Sequence, residues 1–442
     1  MHDLVIRNAK IARQDGSLLE GDLACREGRI SAISSSIPES GKEEADAKGL
    51  ILMPGVIDPQ VHFRDPGASN KEDLGTGSRA AVRGGVTSFL DMPNTRPTTT
   101  THSALEAKLQ RASRICVANY GFFIGATPDN LDVLNTAAPV CGIKIFMGAS
   151  TGDLLVDKEH DLDRIFSSGS RLIAVHAEDE ERIQERMALF LGQQSSRYPP
   201  SLHSEIRDPK CALIATERAL NLSQRYGRRL HILHLSTAEE VTRLRQGKPS
   251  QVTAEALPNH LFLTTDDYDE QGSRVQMNPP IRRPGNEKAL WAGLKEGVLD
   301  IIATDHAPHT LEEKSSPYPA SPSGMPGVEI SLPLMLTAMS VGRCTLQEIL
   351  KWMCQGPAEV YGIPNKGIIG EGYDADLTLV DIDNITEVRD ENVWSRAGWS
   401  PFSGRSLTGW PQITIVGGQI VYDHGTLREG VTGSALSFNQ TR

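Results

Sequence analysis

Paired cysteines are missing from this chain. Its six, Cys25, Cys116, Cys141, Cys211, Cys344 and Cys354, are scattered over 442 residues with no Cys-x-x-Cys spacing. That excludes a disulfide frame and reads as reduced thiols in a cytoplasmic protein. Long apolar runs are missing too, so no stretch is expected to span a bilayer. The opening Met1-His2-Asp3-Leu4-Val5-Ile6-Arg7 lacks the layout of a signal peptide. Positive charge is in deficit: 45 Lys and Arg stand against 56 Asp and Glu, for a net charge of −11. No nucleic-acid or membrane partner is therefore expected, while a small anionic substrate, which responds to local charge, stays open. There is no low-complexity tract and no short-period repeat.

What is present is a hydrophobic fraction of 39%, enough for a large core. The length exceeds one ordinary domain, but an α/β barrel commonly takes ~250 residues as a single unit. One barrel plus a smaller domain is the simplest division. The N-terminal part reads as short strands: Leu4–Ile6, Lys10–Ala12, then Asp22–Cys25 and Arg29–Ile33 around the turn signal Glu27-Gly28. That is too little chain to close a core alone. Ala375–Asp381, Ile413–Val416 and Gln419–Tyr422 have the same texture. The two ends are expected to pair, with residues 1–53 and 365–442 forming a small β-sandwich domain and 54–364 a TIM-type (β/α)8 barrel. In the barrel segment, the apolar run Ile51–Ile57 opens a series of eight strand candidates. The others are Val86–Leu90, Tyr120–Gly125, Ile143–Met147, Leu172–His176, Leu230–His234, Val252–Ala256 and Ile301–Asp305, most of them separated by helical patterns such as 71–83 and 104–115. A helical tail, 346–361, precedes the return to β structure.

The segment from Gly55 to Gly67 is the most informative. Residues two apart in an extended chain share a side, so Gln60, His62 and Arg64 fall on one face at the end of a strand. Imidazole there suits a transition metal, and guanidinium suits a carboxylate. Active sites of such barrels sit at the C-terminal strand ends. Asn94, Lys144, His176, His234 and Asp305 occupy those ends in other strands. Each alone has a bland reading, as a turn residue, a core histidine or a helix cap. Lys144 is the odd one, because an ammonium within an apolar strand is costly unless paired or modified. Recurrence at one end of successive strands is what favours a site.

Five stretches resemble dihydroorotases of the amidohydrolase superfamily. They are Pro54–Asp58, Val61–Gly67, Asp91–Thr95, Asn278–Arg282 and Ala303–His309, and the similarity runs on to Gly372–Leu377. The resemblance implies a distorted barrel with a β-sandwich, one or two divalent metals such as Zn2+, and often a homodimer. It assigns His62 and Asp305 to one metal and His176 with His234 to the other, with Lys144 carboxylated and bridging both. Asp305 is also the proton shuttle, Arg64, Asn94 and His309 take the substrate carboxylate, and Asn278 contacts the ring. Hydantoinases, dihydropyrimidinases and allantoinases share the metal motifs but generally lack the arginine matching Arg64. The polar stretch 310–327 is a lid or a plain surface loop.

One position departs from the pattern. The family usually opens with His-x-His, whereas this chain has Gln60-Val61-His62. A neutral amide oxygen is a poor zinc donor beside imidazole. Either Gln60 ligates weakly or through water, or the enzyme works with only the metal at Lys144, His176 and His234, or the chain is a non-catalytic scaffold. The retained His62, Lys144, His176, His234, Asp305, Arg64, Asn94 and His309 argue against the last. The reading is a dihydroorotase, with a sibling cyclic amidohydrolase as the alternative.

Overall fold

The computed structural model describes residues 1–149, 154–192 and 198–439. Parts of the expected segments, 150–153 and 193–197 in 54–364 and 440–442 in 365–442, lie outside the described residues. Both chain ends build one nine-stranded sheet. The N-terminal part supplies His2–Ala12, Leu18–Arg26, Arg29–Ser34, Gly41–Asp46 and Ile51–Pro54. The C-terminal part supplies Leu377–Glu387, Ser406–Val416, Gln419–Asp423 and Thr426–Leu427. Ile51–Pro54 is the seam, parallel to His2–Ala12 and antiparallel to Leu377–Glu387. Leu4, Ile6, Leu23, Leu52, Leu377, Leu379, Ile413 and Ile415 pack together as the core of this region.

Between the ends lies a TIM-type barrel. Its strands are Val56–Val61, Val86–Asp91, Asn119–Phe122 continuing as Ile124–Gly125, Ile143–Phe146, Ile173–His176, Leu230–Ile232, Val252–Ala256 and Ile301–Ile302. Neighbours pair in parallel around the ring. Phe123 joins its two short segments by donating to Asp91 O at 3.2 Å while Ile124 donates to Gly142 O at 3.1 Å. The ring closes where Val61 bridges His306 in parallel and the His62 amide donates to His306 O at 2.7 Å. The buried Asp58 carboxyl ties the same seam, accepting from Thr304 N at 3.1 Å and Thr304 Oγ1 at 2.5 Å. No helix among the described residues is long and apolar enough to cross a membrane.

Several boundaries differ from the expectation for physical reasons. The run Ile51–Ile57 is not one strand: Pro54 ends the terminal sheet and Val56 begins the barrel. At Gly55 the chain crosses from one to the other, its amide bonded to Asp376 O at 2.8 Å. A Cβ on Gly55 would lie 2.1 Å from Thr87 Oγ1, so only glycine permits this close crossing. Leu4–Ile6 and Lys10–Ala12 merge into one strand across an irregularity between Ile6 and Ala9. The first barrel helix starts at Leu74 rather than Lys71, because Asp73 caps it reciprocally with Thr76. The second runs His102–Ile115, capped by Thr101. The tail holds Leu346–Leu350 and Gly356–Tyr361 around a π-helical turn, Lys351–Gln355.

Candidate active site

Of the ten candidate side chains, Lys144 lies within its strand, Asn278 far along the connection between Val252–Ala256 and Ile301–Ile302, and the other eight at or beyond a C-terminal strand end; all but the half-buried Asn94 and Asn278 are buried. They fall into three groups. In the first, Asp305 Oδ1 receives Gln60 Nε2 at 3.1 Å and lies 2.9 Å from His62 Nε2. His62 Nδ1 meets Asn94 Oδ1 at 2.7 Å. Thus Asn94, expected at a substrate carboxylate, here braces an imidazole. Gln60 is 1% exposed and its Oε1 has no hydrogen-bond partner. A buried acceptor left in that state costs about 1–3 kcal/mol, which a cation or donor placed there would recover.

In the second group, His176 Nδ1 and His234 Nε2 approach to 2.9 Å. Burial lowers both imidazole pKa values, that of His234 strongly, so both rings are neutral and carry lone pairs. The far nitrogen of His176 meets Glu178 Oε2 at 3.0 Å, and Arg207 bonds the same carboxylate. Burial alone would raise the pKa of Glu178, but the Arg207 charge and the His176 hydrogen bond hold it down to about 2. The His234 amide donates to Glu255 Oε1 at 3.2 Å, and His231 Nε2 lies 3.0 Å from Glu255 Oε2.

Lys144 joins the two groups electrostatically. It is 1% exposed, with its Nζ 4.5 Å from the centre of the Phe146 ring. Burial pulls its pKa down to about 7, against the opposing charges of Asp305 and Glu255. Its own charge in turn lowers the pKa values of His176 and His234. A lysine this close to neutral is a nucleophile at physiological pH, which an ordinary lysine is not.

In the third group, Arg64 Nε donates to Pro308 O at 3.1 Å and Arg64 Nη2 lies 3.1 Å from His309 Nε2. Burial lowers the Arg64 pKa to about 10, and the nearby Asp305, Asp91 and Glu313 charges oppose that shift. The guanidinium therefore stays charged at neutral pH. Asn278 stands apart from this pair, its Oδ1 2.8 Å from His203 Nε2. Arg64, His234 and Asp305 have φ values of 59°, 41° and 49°. Non-glycine residues in the left-handed region cost roughly 1–3 kcal/mol each, and such strain gathers at functional sites.

Among the described residues no group of three or more His, Cys, Asp or Glu side chains is arranged to hold a metal. Each half supplies two, His62 with Asp305 and His176 with His234. A third donor must come from Gln60 or Lys144. With that addition the neutral imidazoles, the unmatched amide oxygen and the near-neutral amine fit a divalent cation. Glu178, Glu255 and Lys71 were not singled out by sequence reasoning. Glu178 had a signal, standing two residues beyond His176. Stretch 310–327 is a packed segment: Lys314 donates to Gln276 O, Pro322 O and Gly324 O at 2.9, 2.9 and 3.1 Å.

The barrel and its strand-end histidines define an amidohydrolase, and the chain belongs to that family, whose model matches residues 51–421. At the level of individual proteins, it is 36% identical over 438 residues to a dihydroorotase of Methanosarcina mazei, covering 96% of this chain and 94% of that one. It is 37% identical to a dihydroorotase of Halobacterium salinarum, covering 96% and 97%. Among solved structures, an L-hydantoinase (dihydropyrimidinase) from Arthrobacter aurescens superposes with a TM-score of 0.93 at 31% identity, covering 99% of this chain and all of the other.

Proposed function

We propose that the chain is a dihydroorotase, hydrolysing the cyclic amide of dihydroorotate to carbamoyl aspartate and running the reverse closure. The observation that carries this choice is the charged, buried Arg64 beside His309, a setting for a carboxylate that hydantoins and dihydropyrimidines do not carry. The curated relatives named dihydroorotase over nearly the whole chain support the same reading.

His176, His234 and Lys144 would hold one divalent cation, and His62, Asp305 and, weakly, Gln60 a second. Zinc suits this nitrogen-rich set. Bound there, the ion supplies Lewis acidity toward the amide carbonyl and acidifies water. The chain's own residues do the rest. Arg64 and His309 fix the substrate carboxylate, with Asn94 holding His62 and the ring contact assigned to Asn278 by the resemblance. Asp305 accepts the proton of the attacking water at its carboxylate as the carbon–oxygen bond forms. It returns that proton to the ring nitrogen as the carbon–nitrogen bond breaks, so one water is consumed, and the second proton of that water leaves when the new carboxyl group ionises at neutral pH. Neutral Lys144 can add to CO2, forming a nitrogen–carbon bond and losing one proton, which makes a carbamate of the anionic kind a cation site needs. A cytoplasmic setting fits the six free, buried cysteines, and a homodimer is the assembly to check by sedimentation.

The test is turnover of dihydroorotate by purified protein with zinc and bicarbonate, beside hydantoin and dihydrouracil. Preference for the carboxylated ring is expected. Arg64→Met should lower kcat/KM for dihydroorotate about 10²-fold with metal content unchanged. Full activity in that variant would remove Arg64 from the carboxylate site. Preference for the uncarboxylated rings would replace the reading with that of a hydantoinase.

A further inference from the structure

We infer that Lys71 is a positioning residue that fixes the tautomer of His309 and so makes that ring a donor to an anionic substrate. The inference rests on the dihydroorotase reading only for the identity of that anion. Lys71 follows the first barrel strand, ahead of the helix Leu74–Arg83, while His309 follows the last strand. Lys71 Nζ lies 3.1 Å from His309 Nδ1 and 2.8 Å from Glu313 Oε1. On the other side of the ring, His309 Nε2 lies 3.0 Å from Ser323 O and 3.1 Å from Arg64 Nη2.

Glu313 Oε2 lies 3.6 Å from Nδ1, beyond hydrogen-bond reach, so hydrogen-bond chemistry favours one assignment. An ammonium has three donors and no acceptor. Lys71 therefore bonds His309 only if Nδ1 carries a lone pair, which puts the proton on Nε2. Nε2–H then donates to the Ser323 carbonyl. The opposite tautomer would set Nδ1–H against the ammonium and a lone pair against the carbonyl, losing two hydrogen bonds to keep one from Arg64. Burial and the positive charges of Arg64, Lys71 and Lys314 lower the His309 pKa. The ring is thus held neutral in its Nε2–H form.

That form sets Nε2–H, which the Ser323 carbonyl already accepts at 3.0 Å, beside the Arg64 guanidinium, so that an anion entering here would share Nε2–H with Ser323 O in a three-centre bond while accepting from Arg64. Two donors facing each other at 3.1 Å repel, and a carboxylate oxygen accepting from both relieves the contact. Lys71 thereby acts on a carboxylate through His309. Glu313 anchors the lysine, and is itself fixed by accepting from the Thr310 amide at 3.1 Å. The loops after the first and last strands are in this way joined across the site.

The experiment uses full-length protein labelled with 15N-histidine, the His309 signals being assigned by their loss in His309→Gln. In the wild type, the His309 Nδ1 shift should be that of an unprotonated nitrogen and the Nε2 shift that of a protonated one. Lys71→Met should mix the two tautomers and raise KM for dihydroorotate about tenfold, with kcat within about threefold. Lys71→Arg should restore both. Glu313→Gln, which leaves the lysine in place but less anchored, should shift the same signals by less. A Lys71→Met spectrum identical to wild type, or a wild type protonated at Nδ1, would overturn the inference. The spectra do not depend on turnover. Tautomer mixing in a protein that leaves dihydroorotate unhydrolysed would support the inference and refute the substrate assignment alone.

Discussion

The two halves of the site use the same side chain under different support. His176 leans its far nitrogen on an ionised carboxylate, Glu178, which Arg207 holds in place. His62 leans its far nitrogen on a neutral amide, Asn94. The third donor differs in the same sense: the half with His176 and His234 has Lys144, which can become an anionic carbamate, and the half with His62 has Gln60, which stays neutral. A carboxylate behind a ligating histidine fixes its ring and raises its basicity, and losing such a partner costs about 10–100-fold in metal affinity. The difference therefore ranks the halves. On the proposed reading, the His176 half would keep a cation tightly and the His62 half would hold one loosely. Gln60 is then less a defect than the extreme case of a trend its neighbours already show.

The strongest way to break that ranking is at Lys144. Lys144→Met keeps the volume but removes the amine, and should cut turnover about 10³-fold. Retained metal should fall toward zero after dialysis, because the better half has lost its third donor. If the dialysed variant kept the wild-type metal content, the His62 half would be the tighter one. A smaller effect is expected from Glu178→Gln, which keeps the shape but turns the ionised brace into an amide, as in the other half. Zinc affinity should drop about 10–100-fold, read by competition with a chromophoric chelator. The same change leaves Arg207 without its buried anion, so the melting midpoint should fall in step, by about 3–5 kcal/mol of stability. Loss of stability without loss of zinc affinity would make Glu178 a structural residue alone.

How much of this was legible in the sequence depends on the range of the interaction. Strand ends such as Ile143–Phe146 and Ile173–His176 announce themselves, because an apolar run interrupted by one Lys or ended by one His is a local pattern. The pairing of the two chain ends into one sheet was legible from matching texture. The need for glycine at the Gly55 crossing was not, since it comes from the close approach of Thr87 on the next barrel strand. The true start of the first helix was visible in principle, through Asp73 and Thr76, but hidden by the polar residues before it. In the site, Lys144 and His176 were named from their places on strands, whereas the alternation expected to carry Gln60, His62 and Arg64 on one face stops early: the strand ends at Val61 and Arg64 has a left-handed φ of 59°. Residues that act through others could not be named: Lys71 sits in a loop with no periodicity, and its partners His309 and Glu313 arrive from the far end of the barrel. Asn94 was legible as a site residue, but its contact with His62 depends on the neighbouring strand's register.

The mildest perturbation approaches the comparison from the other side. Asn94→Asp replaces the neutral brace of His62 with a carboxylate of nearly the same shape, 2.7 Å from Nδ1 in the parent contact. If bracing sets the ranking, the loose half should gain affinity while the tight half is untouched. Zinc titration should then show the weaker of two classes tightening by about tenfold, with the stronger class unmoved. Turnover should change little, because on the proposed reading neither the proton transfer at Asp305 nor the carboxylate contact at Arg64 is altered. An affinity that stays flat would mean that the halves differ through Gln60 itself rather than through what stands behind the histidine. Gln60→His, which restores the His-x-His opening, would then be the change that brings the two halves level.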